Sequence, residues 1–148
     1  MPTIKFPLET IATTKIDNLV KISEQVIYKI TTVFPFDLYP DKIVATREKI
    51  DISYAFFFKS EKIFPVIISN IQSVKVQHNM FFATLELEVL GFKEKPPIVK
   101  LLKVHEAMKM RRVIMGLVIS QKEKIDISQI SFKDLVAKLE QIGIMHDK

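Results

Sequence analysis

Few side chains that carry chemistry are grouped in this sequence. Its three histidines stand at 78, 105 and 146, and none is spaced as a metal-binding pair. Glu86 and Glu88 come nearest to a catalytic carboxylate pair. Two residues apart on a strand, they share one face roughly 7 Å apart, where acid–base work is chemically open to them. No apolar pocket is implied around them, so a solvated strand face is the expected reading. Gly91, Gly116 and Gly143 are isolated from one another, and no phosphate-cradling loop can be built from them. Ser60, Ser69 and Ser120 lack the strained strand-to-helix setting of a nucleophile elbow. With no cysteine, thiol catalysis, disulfides and a zinc ribbon are excluded. The expectation is a protein that is not an enzyme, with no catalytic residue, cofactor, metal or small-molecule substrate.

The basic residues are more suggestive. The chain carries a formal +5, and the excess is uneven. Residues 41–103 hold ten bases against seven acids, and residues 104–124 hold five against two. Arg47 and Lys49 fall on one turn, Lys59 and Lys62 on the next, and Lys93 and Lys95 flank Phe92 in a later loop. An aromatic beside lysines can touch an anionic membrane, where each Lys contributes about 1 kcal/mol. Lys59, Lys62, Lys93, Lys95 and Phe92 are therefore the candidate anionic-surface contacts. Four such lysines give only about 4 kcal/mol, a roughly millimolar attachment. Nucleic acid is not expected. Phe57 and Phe82 read as outward, but Glu86 shares their face and opposes a phosphate backbone.

The elements that position these residues follow from periodicity. In 15–32, Ile16, Leu19, Val20, Val26, Ile27 and Ile30 recur at helical spacing, which predicts an amphipathic helix. A strand from Val26 to Phe34 competes, because that stretch is β-rich. Pro35 and Pro40 then make an aromatic connector. From Lys42 the period falls to two. Lys42–Thr46 is a short strand. Ile52, Tyr54, Phe56 and Phe58 form the inner face of the next, with Phe57 outward. Ile63–Ile68 follows, then Val74 and Val76 on a fourth strand. In Phe81–Val89, Phe81, Ala83, Leu85, Leu87 and Val89 point inward. Ile98–Leu102 is the last strand. Val104–Ser120 returns to helical spacing, with Ala107, Met110, Ile114, Leu117 and Val118 inward and Gly116 and Ser120 outward. Ser131 and Asp134 resemble a capping box, ahead of a short helix with Gly143 as its C-cap.

Several segments resemble the bacterial pleckstrin-homology family. They are DKIVATREKIDISYAFFFKSEKIFPVIISNIQSVKVQ (41–77, with Ile71, Val74 and Val76), FFATLELEVL (81–90), and a helix bearing Glu106, Ala107 and Ile114. The resemblance covers about residues 41–120. It implies a mainly β, α+β fold: an open antiparallel barrel of six or seven strands closed by a helix, with N- and C-terminal helices appended. The corresponding division is 1–40 for the N-terminal helix and connector, 41–121 for the barrel, and 122–148 for the C-terminal extension. The tryptophan common in the capping helix of eukaryotic pleckstrin-homology domains is absent. REKIDISYAF, with Asp51, replaces the phosphoinositide-binding basic run, so that activity is not carried over. No signal-peptide pattern and no membrane-length apolar run is present, so a cytoplasmic protein is expected, with the membrane surface as the alternative. The expected function is a non-catalytic binding or scaffolding module. It takes a protein partner or a second copy, with anionic lipid as the alternative.

Overall fold

A computed structural model describes residues 7–145. Helix α1 (Pro7–Ser23) leads into seven strands: β1 (Tyr28–Thr31), β2 (Lys42–Ala45), β3 (Lys49–Ala55), β4 (Glu61–Ile67), β5 (Ile71–His78), β6 (Phe82–Val89) and β7 (Ile98–Lys103). Helices α2 (Val104–Lys122) and α3 (Phe132–Met145) follow. Strands β1–β4 form one antiparallel sheet and β5–β7 another. The sheets do not close into one barrel. The Val33 N–H donates to the Leu101 carbonyl at 2.9 Å, just beyond the end of β1. Strand β4 is an edge, and Pro65 removes one donor from it, which discourages pairing with another chain.

Helix α2 lies across both sheets and buries Ala107, Met110, Val113, Ile114, Leu117 and Val118 with Leu85, Leu87 and Leu102 from the barrel. Apart from Val113 and Leu102, these are the inward residues that the helical period and the β6 alternation predict. The α2 boundary extends only two residues past the predicted Ser120.

The segment 15–32 divides. The helix ends at Ser23, and the β-branched stretch beyond it supplies β1. Ile27 and Ile30 are buried at 4% and 2% exposure, so the competing strand prevails there. In α1 itself Ile11, Ile16, Leu19 and Val20 stay exposed.

Four other expectations are corrected. Phe56 and Phe58 are not interior: β3 stops at Ala55, and both rings are exposed in the reversal that follows. Phe81 precedes β6 and is likewise exposed. Gly116 and Ser120 are buried, Gly116 beneath α3 and Ser120 beside the α2–α3 linker. A Cβ at Gly116 would collide with the Leu139 carbonyl. A Cβ at Gly143 would collide with the Arg112 carbonyl, so Gly143 sits inside α3 as a close-approach residue and is no C-cap. Half of the capping box is present: the Asp134 N–H donates to the Ser131 hydroxyl at 3.4 Å, but that hydroxyl itself donates to the Asp134 carboxylate at 2.7 Å, in place of the return bond from the Ser131 N–H.

Candidate functional site: an aromatic loop end

The buried core is aliphatic. Among the described residues no Phe or Tyr is buried; the core is Ile, Leu, Val, Ala and Met. The aromatics gather instead where three turns adjoin. The β1–β2 connector exposes Phe34, Phe36, Leu38 and Tyr39, the β3–β4 tip exposes Phe56, Phe57 and Phe58, and the β5–β6 turn exposes Met80 and Phe81. Ring contacts join the turns. Phe36 meets Phe82 edge-on at 5.1 Å, and Tyr39 meets Phe57 at 6.0 Å. An open hollow of about 530 Å³ lies between the connector and the tip.

The connector is pinned by its polar groups. The Thr32 hydroxyl donates to the Asp37 carboxylate at 2.7 Å and accepts the Asp41 N–H at 2.9 Å. Asp37 also accepts the Tyr39 N–H at 3.1 Å. Asp41 accepts the Ala55 N–H at 2.9 Å, which ties the connector to β3. Burial raises the Asp41 carboxyl above its ordinary range, and the nearby Asp37 charge adds to this against the Ala55 hydrogen bond. A loop that satisfies its polar groups inward and leaves its rings in water is a held surface.

The β3–β4 tip is strained. Phe58 (φ 60°, ψ 37°) and Lys59 (φ 58°) are both left-handed, a conformation that suits Gly and Asn at consecutive turn positions. The Ser60 hydroxyl donates to the Phe57 carbonyl at 2.8 Å and the Phe56 N–H to the Ser60 carbonyl at 2.8 Å.

Of the predicted contact residues, Lys59 and Lys62 lie on or next to the tip, whereas Phe92, Lys93 and Lys95 lie in the β6–β7 loop, at the other end of β6 from Met80 and Phe81. Lys59 is on the tip. Lys62, on β4, lies 4.6 Å over the Phe64 ring. Tyr54 donates to the Ile98 carbonyl at 3.0 Å, which draws the β6–β7 loop against the β3–β4 hairpin. Phe92 and Lys95 there line a cavity of about 90 Å³ with Tyr54 and Phe64, and Lys93 is exposed in the same loop. Arg47 is placed elsewhere, where it donates to the Ile127 carbonyl and, at 3.5 Å, to that of Ile130. It thereby lines a cavity of about 260 Å³ under the α2–α3 linker.

The acid–base candidates do not converge. Glu88 accepts the Ser73 hydroxyl at 2.5 Å and pairs with Lys75 at 3.6 Å, and these partners lower its pKa. It is held as a carboxylate. His78 lies against its neighbour's carbonyl, His105 is exposed on α2, and His146 is outside the described residues. No cluster of three metal-ligating side chains occurs among the described residues.

Sequence reasoning missed the loop end as a unit. The available signal was the apolar density of turns that should be polar: Phe34, Phe36 and Leu38 between two prolines, and three consecutive phenylalanines before Lys59.

Seven antiparallel strands followed by a helix that closes them form a pleckstrin-homology-like architecture. That assignment stands on the strand order. No protein-family model and no curated protein matches the chain. A solved structure that it resembles is a DUF1696-family protein with a pleckstrin-homology domain from Shewanella loihica PV-4. The two share 17% identity, with 66% of this chain and 84% of that chain covered and a TM-score of 0.41. Among the described residues, no helix is long and apolar enough to cross a membrane.

Proposed function

We propose that this chain is a non-catalytic binding module that docks on a lipid bilayer through its aromatic loop end. One observation carries the reading: nine large apolar side chains stand exposed on three adjoining turns while the core contains no aromatic. Lys59 stands among them on the tip, with Lys42 and Lys62 flanking and Asp37, Asp41 and Glu61 beside them. Lys is depleted at the centres of protein interfaces. It suits a headgroup region, where it reaches lipid phosphates while neighbouring rings sit below. Pro65 on the β4 edge also argues against strand addition by a protein partner.

The magnitudes favour the same reading. Lysines alone give a roughly millimolar attachment. Three buried rings at about 2 kcal/mol each, with two lysines at about 1 kcal/mol each, reach the micromolar range. The apolar contribution thus exceeds the electrostatic one, and no second anchor is required.

The test is co-sedimentation of the full chain with phosphatidylcholine vesicles, with and without phosphatidylserine, from about 0.1 M to about 1 M salt. Binding should persist at high salt, weaken partially, and fall in Phe36→Ser. Absence of binding at every composition overturns the bilayer reading and leaves this face to a protein partner, the sequence's first expectation.

A further inference from the structure

We infer that Phe58-Lys59 is the leading contact of this module, kept in a strained backbone for docking at a cost to folding. The inference rests on the bilayer reading and names which part of the loop end enters first.

Phe58 and Lys59 lie within the reversal between β3 and β4, residues 56–60, both at positive φ. Such left-handed positions are taken most readily by Gly and Asn, because a Cβ there crowds the following carbonyl. Phenylalanine is a poor choice there on backbone grounds. Packing does not account for it either. Phe58 is 86% exposed, and its one ring contact is with Phe57, itself exposed, at 4.0 Å. No hydrogen bond of the Lys59 ammonium group compensates, and its side chain lies in solvent. Strain without local recompense points to a use outside the folded chain.

The chemistry of the pair identifies that use. A ring next to an ammonium at a convex tip matches the boundary between acyl chains and lipid phosphates. Of the carboxylates near the tip, Asp41 holds the Ala55 N–H and Asp37 holds Thr32 and Tyr39, while exposed Glu61 at the start of β4 is outnumbered by Lys59 and Lys62. Phe58 therefore acts as the wedge and Lys59 as the headgroup contact. The other exposed rings widen the footprint once the tip has entered.

The experiment replaces the pair with the residues its backbone prefers. F58N/K59G in the full chain should raise the thermal midpoint by about 3 °C or more, since strain is relieved. The same variant should bind phosphatidylcholine–phosphatidylserine vesicles about 10- to 100-fold more weakly. Phe58→Leu, which keeps an apolar wedge, should retain most of the binding. A lower midpoint in the double variant would show that the tip is not strained. Unchanged affinity, with Phe36→Ser still weakened, would remove the tip from the site and leave the bilayer reading standing. Failure of the unmodified chain to bind vesicles would overturn both.

Discussion

Around α2, Met110, Val113, Ile114 and Leu117 lose nearly all contact with water; around the connector and the β3–β4 tip, Phe34, Phe36, Phe57 and Phe58 keep most of theirs. Both regions are rich in large apolar side chains, so hydrophobicity alone does not separate them. Backbone geometry does. A 19-residue helix presents a continuous apolar stripe that can lie flat on two sheets. A short turn cannot fold back over its own rings while its polar groups are bonded inward. The residue types divide along the same line, with aliphatics at the helix and aromatics at the loops. One region stores stability, and the other holds its apolar side chains exposed.

The sharpest way to break this contrast is at the core. Leu85→Ala should cost about 2–5 kcal/mol, because Leu85 is fully buried beneath α2. A urea midpoint that barely moves would show that the barrel core is not the stability store. Next comes the α2–α3 crossing. Gly116→Ala places a methyl group against the Leu139 carbonyl and should cost about 1–3 kcal/mol. Amide exchange should show α3 loosening more than the barrel, and uniform loosening would mean that the crossing is not a separate unit.

A smaller effect concerns Asp41. Its folded pKa is raised by burial, so its contribution to stability is fully present below the unfolded value near about 3.9 and is lost as pH rises through the folded value. Asp41→Asn should therefore gain stability relative to the parent at neutral pH, with the gap closing in acid. Paired urea melts check the sign, and a variant less stable at neutral pH would mean that the charge itself holds the connector. Smallest of all, Phe57→Ala should change stability by within about 0.5 kcal/mol, as for other exposed sites. A cost comparable to that of Leu85→Ala would erase the distinction between the two regions.

Much of the fold was legible. The α2 period, the β6 alternation and the Ser131 cap each report a local geometric rule that tertiary contacts reinforce. The loop end was legible only in pieces. Lys59, Lys62, Phe92, Lys93 and Lys95 were singled out from neighbouring types, but Phe56, Phe58 and Phe81 were assigned to the core. The reason is specific: alternation through Ile52 and Tyr54 was extended to Phe56 and Phe58, although period two carries no information about where a strand stops. Gly143 illustrates the same limit. A glycine near a helix end reads as a cap, and only the opposing Arg112 carbonyl reveals it as a crossing point.

Residue order by itself determined the strand succession and the capping helix, because these depend on periods of two and 3.6. Tertiary structure decided which apolar residues are hidden. Burial depends on what lies opposite: α3 covers Gly116, whereas no described segment covers Phe58. It also brought the connector, the tip and the β5–β6 turn together. Residues some fifty positions apart share a surface only once two sheets have packed, and no local pattern encodes that meeting.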